Sequence, residues 1–145
     1  MATEQNKTIC RQMVEDVFNK GNVNMVDEYL VENFVEHEVL PPGIPGGREG
    51  VKLLISMMHS AFPDFKATIN DLVEEGDKIV CRMSWTGTHK GDFMGIPATG
   101  KKVSFGVIDM MQMEGGKFTE HWGLMDMAGL MQQLGVMPPP GTGGG

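Results

Sequence analysis

Apolar positions recur at helical spacing through residues 3–62 and at strand spacing through most of residues 65–125. The first stretch, Thr3 to Lys20, carries Ile9, Cys10, Met13, Val14, Val17 and Phe18 on one side, and Gly21 stands where a left-handed residue ends a helix. A short helix is expected after Asn24, with Met25, Val26, Tyr29 and Leu30 on one face, and an extended segment over Phe34–Val39. The run Leu40–Gly47 holds too many Pro and Gly residues for a helix or a central strand, so it reads as a loop. A third helix carries Val51, Leu54, Ile55, Met58 and Phe62 and stops at Pro63.

The period then changes to two. Strands are predicted over Phe65–Val73, Lys78–His89, Lys102–Met113 and Phe118–Met125, with turns at Glu74–Asp77 and Glu114–Lys117 and a Gly/Pro-rich loop at Lys90–Gly100. Met127, Leu130, Met131 and Leu134 predict one or two closing helical turns. Helices followed by a run of strands specify an α+β fold: a curved antiparallel sheet wrapped over N-terminal helices, with a pocket wherever the helices leave space. Residues 1–137 read as one domain, and the Pro/Gly stretch 138–145 as a disordered tail.

Composition narrows the function. With 12 Lys+Arg against 19 Asp+Glu, the chain carries a formal charge of -7, which repels phosphate backbones and argues against nucleic-acid binding. Two cysteines, Cys10 and Cys81, make neither a disulfide framework nor a metal set. The opening Met1–Gln5 lacks the basic start of a secretory signal, and no apolar run reaches the roughly 20 residues of a membrane span. A cytoplasmic protein with no membrane partner is expected. The 14 methionines make the apolar content soft and adaptable, and Met110, Met111, Met113, Met125, Met127 and Met131 cluster in the last hairpin and the helix after it.

Phosphate loops, serine elbows and histidine pairs at metal-ligand spacing are absent, so neither a metal nor another cofactor is expected. What remains is carboxylates in apolar strands. Strict alternation groups Phe118, Glu120, Trp122, Leu124 and Asp126 on one face, and Asp109 with Val103, Phe105, Val107 and Met111 on another. Desolvation raises a carboxyl pKa, which suits it to remove a proton beside a carbonyl. Each group also has a structural reading. Asp126 directly precedes a helix and is equally an N-cap; Glu120 can pair at a sheet edge; Asp109 can bond backbone at a bulge; Trp122 can be core; and His37 and His89, beside Pro/Gly loops, can be solvated.

The stretch Gly87–Lys101 (GTHKGDFMGIPATGK) resembles a signature of the SnoaL-like polyketide cyclases, with Ala98 where a second Pro is commoner. Gly116–Trp122 (GKFTEHW) followed by Asp126, the Gln132–Gly135 ending, His37 with Pro41-Pro42-Gly43, and Gly47–Val51 extend the likeness to nearly the whole chain up to Gly135. The resemblance implies a cone-shaped α+β barrel, a homodimer or homotetramer packed through its sheets, and a small apolar carbonyl substrate. It also implies aldol cyclisation by a single Asp at the end of the last strand, which matches Asp126. Trp122, Asp109, Gln112 and Met111 from the strands, and His37 or His89 from loops, are then the candidates for substrate contact. Two rival readings are a binding protein of the same fold without catalysis, and a water-activating hydrolase such as an epoxide hydrolase that draws its cation from Arg82.

Overall fold

The computed structural model describes residues 2–138; residues 139–145 of the expected tail lie outside them. Helix α1 (Ala2–Met13) passes directly into a π-helical turn, Val14–Asn19. The wider turn keeps Met13, Val14 and Val17 all buried. It also aims Asn19 at β2, where its amide bonds both backbone groups of Ala67. A short 3-10 turn and α2 (Val26–Tyr29) lead into β1 (Leu30–Glu36). Helix α3 (Gly47–Ala61) follows the Pro/Gly loop. Then come β2 (Lys66–Glu75), β3 (Lys78–Thr88), β4 (Lys102–Glu114), β5 (Lys117–Met125) and α4 (Met127–Leu134).

The strands form one sheet in the order β1-β5-β4-β3-β2. The α+β class and the curved sheet over helices hold, with two refinements. The sheet is open rather than a closed barrel, and it is mixed, because β1 joins its edge parallel to β5. The other pairs are antiparallel. Gly115 and Gly116 both take positive φ, as a tight hairpin turn between β4 and β5 requires.

The core lies between the concave face of the sheet and the helices. Trp85 is its centre, edge-on to Phe18, Phe65 and Phe105. Along β4, Val103, Phe105, Val107, Asp109, Met111 and Met113 are all buried, so the alternation expected there is unbroken. On β5 it is broken. Gln112 pairs with Glu120 but Met113 with Phe118, so Thr119 is a β-bulge without a partner across the ladder. Its hydroxyl donates instead to the Gln112 carbonyl. The extra residue shifts every later side chain to the opposite face. Phe118 points into the core, yet Leu124 is 78% exposed.

Among the described residues no helix is long and apolar enough to cross a membrane.

Candidate active site

A cavity partly open to solvent lies between the sheet, α1 and α3. Its walls are mainly apolar, with Met13, Phe34, Leu54, Trp85 and Met111 among them. At one end the polar side chains converge: Glu36, Glu38, Asp109 and His121.

Each reaches this point for a local reason. Asp109 belongs to the inward row of β4. His121 turns inward because the bulge at Thr119 resets the parity of β5, and it stands opposite Met111. Glu36 ends β1 in register with His121. Glu38, two residues further on, shares its side. Gly123 lies opposite Asp109, where a Cβ would stand 2.5 Å from both Asp109 Oδ1 and Glu38 Oε1. A side chain there is excluded by the cluster itself.

His121 is the centre of the network. Its Nδ1 donates to Glu36 Oε1 at 2.6 Å and its Nε2 to Asp109 Oδ1 at 2.7 Å. Burial alone would lower the imidazole pKa, but the bonds to Asp109 and Glu36 outweigh it and raise it to about 10. The ring is therefore an imidazolium at neutral pH.

Glu38 is placed differently. Its side chain is 8% exposed, and His121 Nε2 lies 3.9 Å from Oε1, within ion-pair distance but beyond hydrogen-bond reach. Burial raises its pKa first, the charges of Asp109 and Glu36 add to this, and His121 offsets only part, leaving it at about 7. Glu36, Glu38 and His121 offer ligand atoms within 4.8 Å of one another. Both ring nitrogens of His121 already face carboxylates, however, so the imidazolium has no lone pair to give a cation.

Of the residues singled out from sequence, Asp109 and Met111 meet at this cavity. The others stand elsewhere. Asp126 is the exposed N-cap of α4, its Oδ1 accepting from Gly129 N at 2.8 Å. It lines a shallow outer groove with Arg82 and Leu124 rather than the cavity. Trp122 and Gln112 face outward, because the bulge reverses β5 and even-numbered residues of β4 leave the core. His37 also lies outside, its ring stacked on Trp122 at 4.7 Å and 6°.

His89 is fully buried rather than solvated, with Nδ1 3.2 Å from the Thr99 backbone N–H, which ties down the loop before β4. It is not among the cavity lining. Arg82 points to the outer surface and pairs with Asp71, so the cation required by the hydrolase reading is not at the cavity. Met13, Met111 and Met125 line the cavity, so part of the methionine-rich wall stands beside Glu38, and Met125 also reaches the outer groove that holds Asp126.

Sequence reasoning missed Glu36, Glu38 and His121. Two signals were present: Phe34, Glu36 and Glu38 share one face of an extended segment, and His121 adjoins Glu120.

Comparison with known proteins agrees with this architecture. A family model described as SnoaL-like polyketide cyclase matches residues 8–134. The nogalonic acid methyl ester cyclase of Streptomyces nogalater is 27% identical over 128 residues, covering 87% of this chain and 95% of that protein. An aklanonic acid methyl ester cyclase of Streptomyces sp. (strain C5) is 28% identical over 143 residues, covering 93% and 84%. The structure of TsrD from Streptomyces laurentii superposes with a TM-score of 0.82 at 34% identity, covering 92% of this chain and 97% of that one. The chain belongs to the SnoaL-like polyketide cyclase family.

Proposed function

We propose that the protein is a cofactor-independent cyclase that closes a ring in an apolar carbonyl compound by an intramolecular aldol reaction. Glu38 is the proton-transfer group and the His121 imidazolium the electrostatic partner. The observation that carries this is the buried Glu38 carboxyl at the polar end of an otherwise apolar cavity, within 4 Å of the His121 ring but not hydrogen-bonded to it. A base that titrates near 7 is half ionised at neutral pH and strong enough to act, the balance that general-base catalysis favours.

In the cycle, the Glu38 carboxylate takes a proton from the carbon beside a carbonyl. The negative charge that develops on the enolate oxygen is met by the positive His121 ring, which Asp109 and Glu36 hold in one orientation. The enolate carbon attacks a second carbonyl of the same molecule, and the Glu38 carboxylic acid returns its proton to the new alkoxide. No proton is gained or lost overall. The relatives named as cyclases of nogalonic and aklanonic acid methyl esters support an esterified, polyketide-like substrate.

The test is exchange of α-protons for deuterium in an apolar β-keto methyl ester. Wild type should exchange them, and Glu38→Gln should lose roughly 100- to 10,000-fold in rate, the usual worth of a general base. Exchange that survives Glu38→Gln overturns the assignment. Binding without exchange in wild type favours the ligand-binding reading instead.

The reading extends to assembly: Ile108 and Leu124, a cross-strand pair on the convex face, are 49% and 78% exposed and would be covered in a homodimer or homotetramer. Leu124→Glu should then lower the mass seen by light scattering to that of one chain.

A further inference from the structure

The strand ends that carry the cavity cluster also interlock on the opposite side of the sheet. On β1 and just beyond it, Glu36 and Glu38 point into the cavity while His37, between them, points out. On β5, His121 points in while its neighbours Glu120 and Trp122 point out. The outward His37 lies flat on Trp122, ring centroids 4.7 Å apart, and its Nε2 donates to Glu120 Oε2 at 2.8 Å. Lys78 Nζ, from β3, covers Trp122 at 5.5 Å from the ring centroid. His37 thus meets Glu120 and Trp122 on one face of the sheet, while His121 bonds Glu36 and Asp109 on the other.

The backbone ties this end of β1 to β5 over a short stretch, Val35 and Glu36. β1 is an edge strand, its parallel pairing with β5 is interrupted between Leu30 and Val35, and its last ladder partners are Glu36 and His121. Beyond them, His37 N donates to His121 O at 2.8 Å, after which the chain leaves for the Pro/Gly loop. Glu38 is tethered by its own N–H to Glu36 Oε1 at 3.0 Å, while its carboxyl makes no hydrogen bond among the described residues. Glu36 and Glu38 both line the cavity while His37, between them, stacks on Trp122 outside it, so holding the His37 ring restricts where its two neighbours stand.

We propose that His37, Glu120 and Trp122 form a positioning clip on the convex face that sets where the Glu38 carboxyl stands in the cavity. The inference rests on the reading of Glu38 as the base, and it gives a role to two residues, His37 and Trp122, that do not line the main cavity. The charged groups facing Glu38 are Glu36 of β1, Asp109 of β4 and His121 of β5; those facing the clip are Glu120 and Lys78.

The test is to follow the titration of the Glu38 carboxyl by carbon-13 NMR, its signal assigned by loss in Glu38→Gln, alongside α-proton exchange. Trp122→Leu keeps apolar bulk but removes stacking, and Trp122→Phe keeps stacking. In Trp122→Leu the Glu38 midpoint should fall from near 7 toward 4.5, its ordinary value. A weaker base transfers protons more slowly, so exchange at pH 8 should drop roughly tenfold. Trp122→Phe should titrate and exchange as wild type does. Glu120→Gln should move the midpoint in the same direction by less, and it supplies the answer should Trp122→Leu not fold.

A Glu38 midpoint unchanged in both Trp122→Leu and Glu120→Gln overturns the clip, whatever happens to the rate. A midpoint that moves as expected while Glu38→Gln still exchanges overturns the catalytic reading and leaves the clip standing.

Discussion

Replacing Glu38 by Gln should make the protein more stable at the pH where it makes it inactive. In the folded state the carboxyl titrates near 7, against 4.5 for its ordinary value. Between those values the native state holds a proton that the unfolded chain has released, so the group's contribution to stability falls as pH rises through that window. Above it, the fold carries a carboxylate whose charged form is disfavoured by about 3 kcal/mol. Glutamine carries no charge to disfavour, and the attraction of His121, 3.9 Å away, is already contained in that net figure. A gain of about 2–3 kcal/mol at pH 8 is therefore expected, or roughly 5–10 °C in melting temperature for a chain of this size. At pH 4.5 the two proteins should differ little, because the wild-type carboxyl is then protonated. The assay is urea and thermal unfolding of both at pH 4.5 and pH 8. A variant that is less stable at pH 8, or a difference that does not change with pH, would refute the account of Glu38 as an acid whose charge the fold disfavours.

Further outcomes follow from the same geometry. Asp126→Asn should keep both turnover and stability, since Asn caps a helix as well as Asp does, whereas Asp126→Ala should lose about 1 kcal/mol in urea unfolding; loss of turnover in Asp126→Asn would return the acid–base role to that residue. Gly123→Ala should abolish α-proton exchange, because the new methyl would stand 2.5 Å from Asp109 Oδ1 and Glu38 Oε1, and a crystal structure should show one of the two displaced. Asp109→Asn should lower the His121 pKa from about 10 by about 1–3 units, read by nitrogen-15 NMR of the ring. Through His121 the raised pKa stabilises the fold fully below 6.5, and that contribution is lost as pH rises through about 10. Asp109→Asn should therefore flatten the alkaline part of the stability profile.

Much of the architecture is written in local pattern. The change of period near Pro63, the glycines of the β4–β5 hairpin and the helix after Asp126 are short-range matters of dihedral preference and alternation, and a sequence carries those directly. Asp109 and Met111 were legible for the same reason, since β4 runs without a bulge and its odd-numbered residues keep to one face. Other features depend on contacts between distant segments. The bulge at Thr119 is a mismatch between two strands, invisible in either alone, and it turns His121 inward and Trp122 outward. The parallel docking of β1 against β5 brings Glu36 to His121 across 85 residues of chain. What the sequence by itself determined was the elements and the family; what only the tertiary structure decided was which acids share a cavity. A pocket is made where remote strands meet, and one extra residue in a ladder is enough to exchange its inside for its outside.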